Sequence, residues 1–69
     1  MSILYRFSEE IQRSRIKLGM TQEQTAEALS ISTRWFQYIE AGKRIPGSLL
    51  TLRIIALLEI NGKDLKEKE

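Results

Sequence analysis

The stretch that most constrains this chain is residues 21–42, TQEQTAEALSISTRWFQYIEAG. Thr21 suits a helix N-cap, and Gln24 three positions on completes a capping box, in which each side chain satisfies the other residue's backbone N–H. Ala26 and Leu29 follow at i and i+3 and give a narrow apolar face. Ser30-Ile31-Ser32 breaks that period. Ser32 is a second N-cap. Ile31 before it and Phe36 at the fourth helical position have the spacing of a hydrophobic staple, which fixes the angle at which the chain enters. Phe36 and Ile39 turn inward at i and i+3, and Gly42 ends the helix in the left-handed conformation. The pattern predicts two short helices, about residues 22–29 and 33–41, joined by roughly three residues.

Two such helices crossing steeply form a helix-turn-helix. The small side chain of Ala26 fits that geometry, because a larger one would push the second helix away. An ordinary helical hairpin with no ligand shares the inner pattern, so the outer face has to separate the two readings. That face carries Ser32, Thr33, Arg34, Gln37 and Tyr38, all hydrogen-bonding and none acidic. A solvated helix face usually carries Glu and Lys. A face that meets base edges and phosphates uses Arg, Gln, Ser and Thr instead.

Residues 11–65 resemble the Cro/repressor-type (XRE-like) helix-turn-helix family. The resemblance rests on Arg15, Gly19-Met20-Thr21-Gln22, Ala26, Leu29, Ile31-Ser32, Ile39-Glu40, Gly42-Lys43-Arg44 and Pro46. It implies an all-α, five-helix, lambda-repressor-like DNA-binding domain occupying residues 1–69, with its core at about 8–66. It also implies that Arg15 pairs with Glu40, tying the first helix to the end of the recognition helix. The alternative for these two is unrelated surface charges. Ser30 departs from the family, which usually has Gly in this turn.

Composition narrows the function further. A chain of 69 residues without cysteine or histidine is one small domain that buries only about 60% of its unfolded surface. Disulfides, a zinc site of the usual kind and His-based acid–base chemistry are excluded. No nucleophile has a base beside it, so no catalytic residue, metal or cofactor is expected. The absence of disulfides suits the cytoplasm, and with no signal peptide or long apolar run visible no membrane partner is expected. The net charge of +2 is a weak nucleic-acid signal, but its distribution is not. Residues 33–46 hold Arg34, Lys43 and Arg44 against Glu40 alone, whereas the tail from Glu59 is mixed. So small a charge relies on a local patch and on two copies of it.

Taken in order, the first helix is expected over residues 8–18, with Ser8 as cap and the preceding residues partly helical. An earlier start is the alternative, because Ile3, Phe7, Ile11 and Leu18 fall near one stripe. Gly19 ends this helix. Gln22 opens the second, where N–H groups and the helix dipole attract phosphate. The family gives the matching Gln a phosphate contact, and helix solubility is the plainer reading. Glu23 and Glu27 would repel DNA and are expected to point away from it. By resemblance to lambdoid phage repressors, Ser32, Thr33, Arg34 and Tyr38 match base-edge and groove contacts. Arg34 is the best base reader, since its fork fits guanine O6 and N7; a phosphate clamp is the alternative. Gln37 suits adenine or phosphate. Trp35 is placed either on DNA or against the edge of helices one and two. Lys43 and Arg44 would meet phosphates unless their loop is merely solvated.

Ser48 is expected to cap a fourth helix over residues 49–58. That helix is apolar on nearly every side, which requires burial on more than one face. A homodimer through Leu50, Ile54, Leu57 and Ile60 follows. The family pattern fits this helix in two registers one residue apart, which leaves open which leucines face the core. Asn61-Gly62 is expected to turn, and residues 63–66 to add a short fifth helix with Leu65 packing back. The leading functional expectation is a sequence-specific regulator that binds double-stranded DNA as a dimer on a pseudo-palindrome, repressing by occlusion or activating through RNA polymerase. No separate sensing domain is expected, so regulation falls to concentration, cooperativity or a protein partner such as an antirepressor. The alternatives are an antitoxin, which would bind its toxin too, and a helical protein-interaction module that no longer binds DNA.

Overall fold

A computed structural model describes residues 3–60, which form four α-helices and no strand. They are α1 (Ile3–Lys17), α2 (Gln22–Leu29), α3 (Thr33–Glu40) and α4 (Ser48–Leu58). The expected turn at Asn61-Gly62 and the fifth helix over residues 63–66 lie outside the described residues.

The core takes one pair of side chains from each helix: Phe7 and Ile11, Ala26 and Leu29, Phe36 and Ile39, Ile54 and Leu58, with Ile60 closing it. Met20, Ile31, Trp35, Leu50, Ile55 and Leu57 pack around its edge. α3 lies against both α2 and α1, and α4 covers α1 and α2. The chain thereby fixes α3 from two sides and leaves its third side open.

α1 begins five residues before the expected Ser8 cap. Ser8 lies inside the helix, and its hydroxyl donates to the Tyr5 carbonyl at 2.8 Å. The i, i+4 pair Phe7 and Ile11 drives this, because burying Phe7 requires a helical turn before Ser8. The apolar stripe is also shorter than expected. Ile3 is 62% and Leu18 41% exposed, since one precedes the core and the other falls in the turn after the helix.

The α2 start follows the sequence closely. Thr21 Oγ1 accepts from the Gln24 N–H, and Gln24 Oε1 accepts from the Thr21 N–H, both at 2.9 Å. Buried Thr25 donates its hydroxyl to the Thr21 carbonyl at 2.9 Å, so its polarity is satisfied. At α3, Ser32 Oγ accepts from the Trp35 N–H at 3.0 Å, completing the second predicted cap. Ile31 packs against the cluster that contains Phe36, as the staple requires.

α1 and α3 end on left-handed glycines, Gly19 (φ 72°) and Gly42 (φ 76°). Each is followed by a bond from the next N–H back five residues: Met20 to the Arg15 carbonyl at 3.0 Å, Lys43 to the Tyr38 carbonyl at 2.9 Å. α2 closes in the same way, with the Ile31 N–H on the Ala26 carbonyl at 3.0 Å, but Ser30 occupies the left-handed position at φ 60°. The family's glycine position therefore keeps its geometry with a side chain in place. Glu59 (φ 56°) does the same at the end of α4.

α4 starts at Ser48 with Gly47 in the cap position and no side-chain cap bond, so Ser48 does not play the expected role. The Thr51 N–H bonds the Gly47 carbonyl at 2.8 Å, and Pro46 is buried behind it. This sets the register. Ile54 and Leu58 are fully enclosed, and Leu50 packs on the core one turn earlier. Of the four residues expected at a dimer interface, Ile54 and Ile60 are buried in the chain's own core, and Leu50 and Leu57 pack against it. On α4 the large apolar side chains left exposed are Leu49 (72%) and Leu52 (64%).

Left-handed backbone costs an L-residue about 1–2 kcal/mol, and glycine escapes most of that at some entropic loss. Ser30→Gly should therefore raise the unfolding free energy by roughly 0.5–1 kcal/mol in urea titration. A fall in stability would mean that the serine is held there by something stronger than backbone preference.

Candidate nucleic-acid interface

The outer side of α3 is positioned by one polar network. Arg15, near the end of α1, reaches Glu40, the last residue of α3. Its Nε donates to Glu40 Oε2 at 2.6 Å and its Nη2 to Oε1 at 3.3 Å, while Nη1 donates to the Met20 carbonyl at 2.8 Å. The two side chains are only 12% and 5% exposed. Removing both charges from water is expensive. The forked contact and the third bond to a carbonyl offset that, because charge-assisted bonds are strong where water is excluded. Among the described residues no buried side-chain nitrogen or oxygen lacks a partner.

Glu40 Oε1 takes a further bond from Gln22 Nε2 at 2.7 Å, and Gln22 Oε1 accepts from Gln37 Nε2 at 3.1 Å. The expected Arg15–Glu40 pair is present, and it continues through α2 onto the exposed side of α3. Gln22, read from sequence as a phosphate ligand, has its amide engaged by Glu40 and Gln37. The sequence carried a hint of this, since Gln22 stands at the N-terminus of α2, where a carboxylate is favoured. The spacing of Gln22 to Glu40 gave no local signal.

Arg34, Gln37, Tyr38 and Ala41, at i, i+3, i+4 and i+7, are exposed along the open side of α3. Thr33 is half-buried on one flank. Trp35 is half-buried on the other and packs on the core edge. Ser32 is exposed, with its hydroxyl oxygen engaged as the cap. Arg44 places its guanidinium carbon 6.0 Å from the Tyr38 ring centroid, at the outer limit of a cation–π contact. Lys43 and Arg44 are both exposed. Among the described residues Arg34, Lys43 and Arg44 have no carboxylate partner. The one acid in this segment, Glu40, is turned inward and neutralised by Arg15. What faces solvent is therefore uniformly neutral or cationic, a field suited to phosphate.

One packing residue was missed from sequence. Buried Ser8 sits under Gly42, where an added Cβ would stand 3.2 Å from its Oγ. α1 and the end of α3 meet there at close range. Glu23 and Glu27 are both exposed on α2, which turns Thr25, Ala26 and Leu29 inward.

The profile of the helix-turn-helix domain family matches residues 6–67. The chain belongs to that family, a class of DNA-binding domain, and the match is consistent with the Cro/repressor-type resemblance. No curated protein and no solved structure gives a significant match. Among the described residues no helix is long and apolar enough to cross a membrane.

Truncating Glu40 to alanine would leave the Arg15 guanidinium buried and unpaired. Glu40→Ala should lower the unfolding free energy by about 3 kcal/mol or more. The double variant Arg15→Met, Glu40→Leu should recover much of that loss, because two apolar groups leave no stranded charge. Equal loss in the single and double variants would show that shape, not charge, makes this contact.

Proposed function

We propose that the chain is a sequence-specific, double-stranded DNA-binding regulator of transcription, with α3 lying in the major groove. The observation that carries the reading is the α3 face itself: four exposed positions without a carboxylate, beside a basic loop, with Glu40, the one acid of residues 33–46, paired inside. Arg34 is the guanine reader, since its unpaired fork matches O6 and N7. Ser32, Thr33, Gln37 and Tyr38 complete the groove contacts. Lys43 and Arg44 hold the phosphate backbone and set the register of α3. Trp35 supports the edge of α3 rather than touching bases. Such a protein is a binder, not an enzyme, and it works in the cytoplasm at the nucleoid.

α3 has eight residues and is about 12 Å long, so one copy reads only a few base pairs. Two copies would place their α3 helices about one turn of DNA apart, near 34 Å, on a pseudo-palindromic operator. The surface for the second copy is the outer stripe of α4, where Leu49, Leu52 and Ala56 follow one another at i, i+3 and i+7. Helical stripes at this spacing pair with like stripes, and Ala56 allows close approach. This replaces the face expected from sequence.

Selection of sites from a random duplex pool at two salt concentrations tests the reading. Recovery of a pseudo-palindrome is expected, and a folded protein that enriches nothing would overturn it in favour of a protein-interaction module. Arg34→Ala should weaken binding to the selected site by about 1–3 kcal/mol and relax one position. Lys43→Ala should weaken all sequences alike and reduce the salt slope by about 1. Leu52→Glu should halve the mass measured by light scattering at micromolar concentration. An unchanged mass would remove α4 from the interface.

A further inference from the structure

Resting on the DNA-binding reading above, we propose that Gln37 is an adenine-specificity residue and that Gln22 is the positioning residue that fixes its amide. The argument is one of hydrogen-bond polarity. A glutamine amide has a donor end and an acceptor end, and rotation by half a turn exchanges them. In this chain the exchange is blocked from behind. The Glu40 carboxylate accepts only, and Arg15 holds it in place with two of its own donors. Gln22 must therefore direct Nε2 at Glu40, as it does at 2.7 Å. Its Oε1 then points the other way and can only accept. Gln37 meets that oxygen with Nε2 at 3.1 Å.

The orientation of Gln37 is set by this sequence of bonds before any DNA arrives. Its Nε2 keeps one unused N–H, and its Oε1 has no partner among the described residues. The free donor and free acceptor of one amide match adenine, which offers N6–H and N7 side by side in the major groove. Guanine offers two acceptors there and would oppose the amide oxygen. Thymine offers an acceptor and a methyl group, and cytosine mainly a donor, so neither uses both ends. A freely rotating glutamine would lose this freedom on binding. The bond to Gln22 restricts that freedom in Gln37 beforehand, which favours the correct base by preorganisation.

The test is site selection from a random duplex pool with the full chain, comparing wild type, Gln37→Ala and Gln22→Leu. Gln22→Leu keeps the volume and leaves the Arg15–Glu40 pair intact. Circular dichroism serves as the folding control. The expected result is that both variants lose an adenine preference at the same position of each half-site, by roughly fivefold or more, while the base preferences at the other positions are kept. Uniform weakening by Gln22→Leu with every preference intact would make Gln22 a phosphate ligand and overturn the proposal. Losses at two different positions would overturn it too.

Side-chain amide NMR of the DNA-free protein separates this idea from the broader reading. The Gln37 NH2 should be ordered in wild type and should become mobile in Gln22→Leu. A mobile Gln37 amide in wild type would overturn the positioning role even if an operator is recovered. Failure of wild type to select any site would instead overturn the DNA-binding reading on which the proposal rests.

Discussion

The arrangement of this small domain depends on a buried charge pair. The 2.6 Å contact between Arg15 and Glu40 joins the end of the first helix to the end of the third. Apolar contacts alone would hold α3 in the fold, but they are tolerant of small slides. A forked guanidinium on a carboxylate is directional, and its burial makes any slide expensive because a charge would be exposed to a poor environment. The same pair removes the only acid from the segment that carries Arg34, Lys43 and Arg44. One interaction therefore both fixes the angle of the exposed helix and determines the sign of its field.

Around that pair the helix ends do most of the local work. Capping at Thr21 and Ser32 starts α2 and α3 at defined residues, and the left-handed closures at Gly19, Ser30 and Gly42 stop each helix within one residue. With starts and stops fixed, the inward residues of α2 and α3 can meet in only one register. A chain of 69 residues has little core to spare, so local signals of this kind carry an unusual share of the specification.

Much of this was legible in the sequence, and for a physical reason. Caps, staples and closing glycines act over three to five residues, so their partners are visible in a short window. The pairing of Arg15 with Glu40 spans 25 residues and was reachable only through the family resemblance. The register of α4 was not legible, because a helix apolar on nearly all sides gives no periodic signal to choose by. It was settled by Pro46 and Thr51 at the helix start, and as a result Ile54 and Ile60 went inward and Leu49 and Leu52 outward. The start of α1 was misplaced for a related reason: Ser8 has the chemistry of a cap, but Phe7 before it had to be buried. The link from Gln22 to Gln37 escaped because it depends on the crossing of α2 over α3, which no local pattern encodes.

The close approach of Ser8 to Gly42 has a consequence for how the chain tolerates change. The basic loop begins at the residue after Gly42, so its height above the helix bundle is set by a hydroxyl on α1 that lies 3.2 Å from where a Cβ would be. Enlarging either residue would wedge that joint open and tilt Lys43 and Arg44 together, without touching the loop itself. Variation at a buried position of the first helix is thereby transmitted to the cationic rim. The first helix thus acts as the gauge for how far the loop after the third stands from the bundle.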